Sequence, residues 1–273
     1  MDIYVGFDSA WTDNPKTPGA ICAVGINDGC PTRFYAPQLV TFEKAHAFIR
    51  NVRSDNGNTL VALDQPTVVP NLTGMRPVER AAASLISWVG GGVQPSNRAR
   101  RGMFCDASPI WRFLAALEAI QNPELARLAN EGLYLMEVFP ALALASLGTG
   151  FFRRLGGPRY NPDRRKTFCA VDWVRVAKAA AHEADKLGCE ELARWCGDVG
   201  RITSPLKAHQ DMLDSALCVL VALRWRLRPR SESLLLGDLT TGYMVLPASP
   251  AVREYLAVPA RKYLVAMDGV TPR

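Results

Sequence analysis

Five carboxylates stand where an apolar segment ends or a helix begins, and they are the residues best placed to do chemistry in this chain. They are Asp8, Asp64 and Glu137 at the ends of strand-like runs, and Asp211 and Asp214 near the start of a late helix. A carboxylate at the end of an apolar run is costly unless it is paired, protonated or bound to a metal. Parallel strands bring their carboxyl ends to one edge of a sheet. Acids that meet at such an edge predict a divalent-metal site.

Hard carboxylate oxygens suit Mg²⁺ or Mn²⁺, which keep bound waters and accept phosphate oxygens. Asp211 and Asp214 are three residues apart and therefore neighbours on one helix face. For Asp8 and Asp64 the alternative is a turn or a helix cap beyond the strand. For the helix acids the alternative is a favourable interaction with the helix macrodipole. Each of these acids ends a strand-like run or stands near the start of a helix, so all of them could meet at one sheet edge. The sequence therefore favours metal ligation.

Two residues close to these acids have open roles. Glu137 has apolar neighbours that predict burial. It is either a ligand or general base, or a buried partner of Arg76 or Arg80. His209 lies two residues before the first helix acid. It is either a proton shuttle or phosphate contact, or a cap of the helix.

Basic residues concentrate in two loop segments and are candidates for holding a phosphate backbone. The first is the Pro- and Gly-rich segment 67–109, and the second is segment 151–166, which also carries Phe and Tyr residues. Basic groups hold phosphates and aromatic rings stack on bases, whereas the alternative is a solvated surface. The predicted substrate-binding residues are Arg76, Arg80, Arg98, Arg101, Arg164, Arg165 and Lys166. Three further arginines of the second segment are Arg153, Arg154 and Arg159.

The bulk composition bounds the class of protein. A chain of 273 residues with 48% hydrophobic residues can build one large core. The net charge of +6 is compatible with a polyanionic partner such as nucleic acid. Seven cysteines without a CxxC pair or zinc-like spacing indicate reduced thiols in a cytoplasmic protein. The late apolar stretch 216–223 is far shorter than the roughly 20 residues of a spanning helix, so no membrane association is expected. A homodimer is compatible with the sequence.

Hydrophobic periodicity and turn residues predict an α/β fold. Strands are expected at 3–8, 19–26, 32–40, 59–64 and 133–139, with two short strands within 237–247. Helices are expected from the Thr41 cap to about 53, then at 77–88, 110–121, 122–130, 140–148, 169–196 with an interruption at Gly188, and 208–227. Short turns join the first three strands and helices join the later ones. This order predicts a mixed sheet with an antiparallel edge and a parallel centre, flanked by helices. Pro37 places its strand at the sheet edge.

Three regions of the chain are distinguished. Residues 1–230 are predicted to form the main domain, and residues 231–273 a C-terminal extension packed on it. Segment 67–109 is an inserted loop and helix region, and loops of such length within a domain are usually functional or disordered. Its Gly90–Gly92 run lacks the spacing of a phosphate-binding or dinucleotide-binding loop.

Five short motifs follow one another between residues 1 and 226. They are GFDSA at 6–10, ALDQP at 62–66, RPVER at 76–80, EVFP at 137–140 and HQDMLDSA at 209–216. In this order they resemble the ribonuclease H-like superfamily of metal nucleases and resolvases. More narrowly, they are similar to domain-of-unknown-function family 429, whose members are predicted nucleases. The resemblance implies a ribonuclease H-like mixed sheet, with Asp8, Asp64 and Asp211 or Asp214 as metal ligands. Glu137 is not a standard superfamily ligand and belongs to the narrower family pattern.

The sequence therefore predicts a nuclease that hydrolyses phosphodiester bonds of nucleic acid with two Mg²⁺ or Mn²⁺ ions. The expected catalytic residues are Asp8, Asp64, Glu137, His209, Asp211 and Asp214. One alternative is an ATP-dependent phosphotransferase of the actin and sugar-kinase type, which also begins with a strand Asp. This chain is short for the two domains of that type and lacks their Gly-rich phosphate loops. Another alternative is a non-catalytic nucleic-acid-binding protein with the same fold.

Overall fold

A five-stranded mixed sheet forms the centre of the protein. The computed structural model describes residues 1–54, 56–88, 92–148, 150–152 and 158–271. The strands are β1 (Asp2–Asp8), β2 (Gly19–Asn27), β3 (Cys30–Val40), β4 (Asn58–Asp64) and β5 (Gly132–Glu137). Their order is β3-β2-β1-β4-β5. β1 pairs antiparallel with β2 and parallel with β4, and β4 pairs parallel with β5. The predicted antiparallel edge and parallel centre are confirmed.

The position of each strand follows from its composition. β1 and β4 are apolar almost throughout, as expected for central strands that are covered on both faces. β3 contains Pro31 and Pro37 and many exposed residues. Proline cannot donate to a β-ladder, and β3 accordingly lies at the outer edge, where only β2 needs its hydrogen bonds.

Helices cover both faces of the sheet. In chain order they are α1 (Phe42–Val52), α2 (Pro77–Trp88), α3 (Pro109–Leu117), α4 (Pro123–Leu128), α5 (Pro140–Leu147), α6 (Ala170–Lys186), α7 (Glu190–Gly200), α8 (Lys207–Leu227) and α9 (Pro250–Tyr263), with a single 3-10 turn at Arg230–Glu232. One apolar core lies between the sheet and helices α6, α7 and α8. Another lies on the opposite face, against α1 and α3. The sheet is thus the middle layer of three.

A smaller third core joins the C-terminal residues to the rest of the protein. It contains residues of α2, α5 and α9 and of the hairpin formed by β6 (Ser233–Asp238) and β7 (Gly242–Pro247). Val245 of β7 also forms a parallel bridge with Val138, directly after β5. The segment after residue 230 therefore packs beside the end of β5. None of the helices in the described ranges is long and apolar enough to cross a membrane.

Helix boundaries mostly follow their capping residues, with three differences, the first being that α7 continues to Gly200 and so extends beyond its predicted end at residue 196. The Thr41 hydroxyl accepts the N–H of Lys44 and caps α1 as predicted, and Gly188, with φ +74°, separates α6 from α7. The helix predicted at 110–121 is wrong at its end, because Glu118 takes a left-handed conformation with φ 53°. The sequence analysis also did not predict α9, although Ser249 caps it and Pro250 occupies its first position.

Gly6 in the middle of β1 allows α8 to lie directly on the sheet. A Cβ atom at Gly6 would stand 2.0 Å from the carbonyl oxygen of Ser215 and 2.5 Å from the backbone nitrogen of Val219. Both are backbone atoms of α8, so a side chain could be accommodated only if the helix moved. This close approach fixes where the acidic start of α8 meets the end of β1.

We expect Gly6→Ala to destabilise the protein by about 1–3 kcal/mol, because it overpacks a rigid backbone contact. The measurement is the free energy of unfolding in urea. Gly197→Ala on α7 is the matched control, because no atom lies within 4 Å of the added Cβ. The control should leave the stability unchanged or raise it by up to about 1 kcal/mol, the helix-propensity difference. Equal stability of the two variants would contradict the close packing of α8 on β1.

Candidate active site

Asp8 and Asp64 lie side by side at the carboxyl ends of neighbouring parallel strands. They are register partners in the β1–β4 ladder. Strands are about 4.8 Å apart, and residues in register point to the same face. Both side chains therefore leave the sheet on the face that α8 covers. The shared location predicted from the two strand ends is confirmed.

Helix α8 brings further acids to this edge. Asp214 is buried and lies next to Ser215, the residue that contacts Gly6. Asp211 lies one turn earlier, is mostly buried, and forms an ion pair with Lys207. Its charge contributes to raising the pKa of Asp8. The helix acids thus come to the strand acids as the sequence predicted.

Asp214 is held in place by two hydrogen-bond donors. The Tyr160 hydroxyl donates to its Oδ1 at 2.8 Å, and the Gln210 amide donates to its Oδ2 at 2.8 Å. Tyr160 in turn stands on a segment tied to α6, because the backbone N–H of Arg159 donates to the buried carboxylate of Asp172 at 3.0 Å. These hydrogen bonds orient Asp214 towards the strand acids.

The carboxylates crowd one another. Burial raises the pKa of Asp8 well above its usual value, and the charges of Asp64 and Asp214 raise it further. Burial likewise raises the pKa of Asp64, with Asp214 and Glu137 adding to the effect. The pKa of Asp214 rises to about 6 because of its burial, although the Lys207 ammonium opposes the shift. The cluster is a site with more negative charge than its surroundings neutralise.

Lys207 is a cation that faces these acids, and the sequence analysis missed it. Burial opposes its charged form, but the charges of Asp8 and Asp211 prevail and raise its pKa. It lines the same cleft as Asp8 and Asp64. Its spacing of four residues from Asp211 on a helix was the signal that could have identified it.

The acids open into a cleft of about 350 Å³. Its wall includes Asp8, Asp64, Asp214 and Lys207, together with the exposed Arg159 and Arg164. Polar groups missed by the sequence analysis also line it, namely Gln94, Asn161, Thr167 and Gln210. The cleft therefore combines partly or fully buried acids with exposed guanidinium groups.

The remaining basic residues that were predicted to bind substrate lie outside the wall of the cleft. Arg165 and Lys166 are exposed beside Arg164. Arg80 and Arg101 are exposed in the segment 67–109. Arg98 pairs with Asp106 and lies over the ring of Trp111 at 4.8 Å, so its charge is already partly engaged. Arg153 and Arg154, as well as Gly90 and Gly91, lie outside the described residues.

Glu137 lies beside this cluster but points differently. Its register partner in β4 is Leu63 and not Asp64. An offset of one residue turns a side chain to the opposite face of a sheet. Its carboxylate accepts two hydrogen bonds from Arg76, at 2.6 and 3.0 Å, and one from the Thr67 N–H at 2.9 Å. The pairing with Arg76, one of the two interpretations left open by the sequence, is the one found.

Arg76 connects two buried carboxylates. It is fully buried, and its Nε donates to Glu79 at 2.8 Å while its other donors reach Glu137 and the carbonyl oxygen of Val68. Its backbone N–H also donates to Glu79, as in the return arm of a capping box at the start of α2. The substrate contact expected for Arg76 is therefore corrected to an internal one, because the side chain has no access to solvent.

His209 has a capping role. Its Nδ1 accepts the backbone N–H of Leu206 at 2.9 Å, which satisfies a donor at the start of α8. Within the described chain it is absent from the wall of the acidic cleft. The helix-cap interpretation thus accounts for the hydrogen bond that His209 makes.

The carboxylates of the cleft fit a hard divalent cation whose coordination shell is completed by water and substrate. Among the described residues, no group of three or more His, Cys, Asp or Glu side chains forms a ready-made metal cage. Mg²⁺ is commonly bound by one or two carboxylates, with water and substrate phosphate completing its shell. Asp8 and Asp64 provide two such carboxylates on an accessible cleft, and their raised pKa values reflect charge that a cation would neutralise.

Comparison with known proteins adds the family. A family model described as "Protein of unknown function (DUF429)" matches residues 6–235, which include the sheet, the cleft and most of the helices. The chain belongs to this family. No curated protein and no solved structure gives a significant match. The DUF429 match contains all five motifs and ends within β6, so α9 and most of the C-terminal hairpin lie beyond it.

Because the carboxylates are crowded, the stability of the protein without metal should depend on pH. A carboxyl whose pKa is raised in the folded state binds protons more readily there than in the unfolded chain, so stability falls as the pH rises through that interval. For Asp8 and Asp64 the interval begins near the ordinary value of about 3.9. Asp64→Asn should therefore gain stability relative to the wild type as the pH rises from about 4 to about 7.

The gain is about 1.4 kcal/mol for each unit by which the folded-state pKa exceeds the unfolded one. Chemical denaturation of both proteins in chelator at several pH values measures it. A constant difference between wild type and Asp64→Asn across this range would contradict the electrostatic crowding.

Proposed function

We propose that the DUF429 protein is a divalent-metal-dependent phosphodiester hydrolase that acts on nucleic acid, and that its sheet is of the ribonuclease H-like type. The observation that carries the proposal is the pair Asp8 and Asp64, in register at the ends of parallel strands and open to a cleft. The strand order and the antiparallel β2 agree with what the sequence resemblance implied. Asp214, brought by α8, extends the pair in the order expected for this superfamily.

In this proposal Asp8 and Asp64 hold the metal, and Asp214 is the third carboxylate at the same edge. A divalent cation held there would supply an activated water and would stabilise the charge on the leaving oxygen. Tyr160 and Gln210 keep Asp214 oriented by their hydrogen bonds. Both strand acids line the cleft, which is where a cation would reach their carboxylates.

The cationic side chains of the cleft suit the negatively charged phosphate groups of nucleic acid. Lys207, Arg159 and Arg164 line the same cleft as the acids. Guanidinium and ammonium groups bind phosphate oxygens without reading the bases. A phosphate that enters the cleft would therefore meet these cations, while its reacting bond lies towards Asp8 and Asp64.

Replacement of Asp8 tests the metal site. Asp8→Asn keeps the shape of the side chain but removes the charge that a hard cation needs. We expect Mn²⁺ affinity in isothermal titration to fall at least about 100-fold, since loss of even an outer partner costs roughly 10–100-fold. Metal-dependent cleavage of DNA and RNA oligonucleotides should be lost with it.

The control is Asp28→Asn, an equal change of charge at an exposed turn residue. It should leave both readouts at the wild-type level. Unchanged Mn²⁺ affinity in a folded Asp8→Asn protein would refute the metal site. Nucleic-acid binding by the wild type without any metal-dependent cleavage would favour a non-catalytic binding protein instead.

Replacing the exposed basic segment 164–166 tests whether the protein binds nucleic acid there. Replacing Arg164, Arg165 and Lys166 together with alanine should weaken binding to nucleic acid. The slope of log affinity against log salt should become shallower by about 0.7–0.9 for every phosphate group that the variant no longer binds. The weakening should be similar across sequences, because these side chains bind the backbone.

A matched variant carries the same change of net charge on the opposite face of the sheet. It replaces three exposed cations of α1 or its end with alanine: Lys44, Arg50 and Arg53. Fluorescence anisotropy at several salt concentrations compares the two triple variants. If both reduce the slope equally, the segment 164–166 has no special role in binding.

A further inference from the structure

Two motif residues next to the strand acids have no role in the proposed chemistry. Ser9 follows Asp8 in the motif GFDSA, and Gln65 follows Asp64 in the motif ALDQP. Successive residues of an extended chain point to opposite faces of a sheet. Because Asp8 and Asp64 are register partners, Ser9 and Gln65 follow them at matching positions. Neither is part of the cleft wall in the described chain.

A hydrogen bond joins these two side chains to each other. The Ser9 hydroxyl donates to Oε1 of Gln65, and both residues are buried. Among the described residues, this is the only hydrogen bond that either side chain makes, and Nε2 of Gln65 has no partner. A hydrogen bond in the low-dielectric interior is stronger than one in water. It links the residue after Asp8 directly to the residue after Asp64.

A second hydrogen bond joins the same two segments. The indole N–H of Trp11 donates to the carbonyl oxygen of Asp64 at 3.2 Å. The Trp11 ring also packs edge-to-face against Phe104, with the ring centroids 5.3 Å apart, and this contact fixes its direction. We call the two hydrogen bonds, from Ser9 to Gln65 and from Trp11 to Asp64, the clasp. It ties residues 9–11 to residues 64 and 65.

The clasp lies where the backbone pairing of the two strands stops. Asp8 and Asp64 are the last register pair of the β1–β4 ladder, so no later pair of this ladder holds the strand ends together. Neighbouring carboxylates of like charge repel each other, and the charge of Asp64 contributes to the raised pKa of Asp8. Without a metal, this repulsion favours separation of the strand ends. The clasp opposes that separation.

We propose that Ser9 and Gln65 are positioning residues that fix the separation of Asp8 and Asp64 and thereby raise the affinity of the site for Mg²⁺ relative to Ca²⁺. The inference rests on the proposed function and concerns the metal of the same site. Mg²⁺ demands near-ideal octahedral geometry at about 2.0–2.1 Å, whereas Ca²⁺ accepts flexible geometry at about 2.3–2.6 Å. A fixed pair of carboxylates suits the first cation, and a loose pair suits only the second. Since neither Ser9 nor Gln65 lines the cleft, both act through the backbone of the acids.

Ser9→Ala removes the donor of the clasp and tests this role. We expect its Mg²⁺ affinity to fall at least about tenfold, the lower end of the effect of losing a group that orients a metal ligand. Its Ca²⁺ affinity should fall less than about threefold, because Ca²⁺ adapts to a looser pair of acids. Isothermal titration of the full chain with each cation alone measures both affinities.

Ser108→Ala is the matched control. Ser108 is also buried, and its hydroxyl interacts with another side chain, 3.3 Å from Sγ of Cys105. It is not part of the cleft wall in the described chain. This variant should bind Mg²⁺ and Ca²⁺ as the wild type does.

A double variant keeps the test decisive if Ser9→Ala does not fold. Ser9→Ala alone leaves the buried Gln65 amide without a partner, which costs stability. Combining it with Gln65→Met replaces both partners by apolar groups of similar shape, a change that can be nearly neutral for folding. The double variant should show the same selective loss of Mg²⁺ affinity, because it also lacks the hydrogen bond between the strand ends.

The outcomes separate the clasp from the proposed function. Equal losses of Mg²⁺ and Ca²⁺ affinity in folded variants, or no loss of either, would overturn the positioning role and leave the metal site intact. A wild type that binds neither cation would overturn the metal site and the role of the clasp together. Selective loss of Mg²⁺ affinity in a protein that cleaves no oligonucleotide would support the clasp and remove the hydrolase.

Discussion

The close approach of Gly6 to the backbone of α8 determines where the acids of this protein meet. A side chain at this point of β1 would hold the helix away from the sheet, because the nearest atoms are backbone atoms of Ser215 and Val219. Protein interiors are close-packed and transmit such a displacement. Asp214 immediately precedes Ser215, so its distance from Asp8 depends on this packing. The geometry of the site is thus set by a glycine two residues away from it.

Two groups of buried carboxylates at the same sheet edge differ in how their charge is balanced. Glu137 and Glu79 share the guanidinium of Arg76, so their oxygens are hydrogen-bonded inside the protein. Removing one partner of such a buried pair typically costs about 3–5 kcal/mol. Asp8 and Asp64 have no comparable partner among the described residues, and Lys207 also pairs with Asp211. The first group stabilises the fold, whereas the second leaves charge for a ligand.

Local patterns in the sequence determined the elements and the family. The strand runs, the Thr41 cap, Pro37 at the edge and the interruption at Gly188 all act through neighbouring residues, so they are visible in the chain itself. Asp8 and Asp64 were predictable as partners because parallel strands align their ends. The end of one helix at Glu118 was not, since a left-handed residue without glycine is sustained by its surroundings. Nor was the role of segment 67–109, an inserted loop and helix region whose Gly92 and Gln94 line the cleft beside Asp64.

The tertiary structure alone decided the places of Glu137, Arg76 and Tyr160 relative to the strand acids. Glu137 and Asp64 both end a strand, yet a register offset of one residue turns Glu137 to Arg76. Arg76 resembles an exposed cation in the sequence, but it is buried because two carboxylates converge on it. Tyr160 enters the site through the packing of the segment before α6. Register and long-range packing join residues far apart in the chain, and no local pattern encodes them.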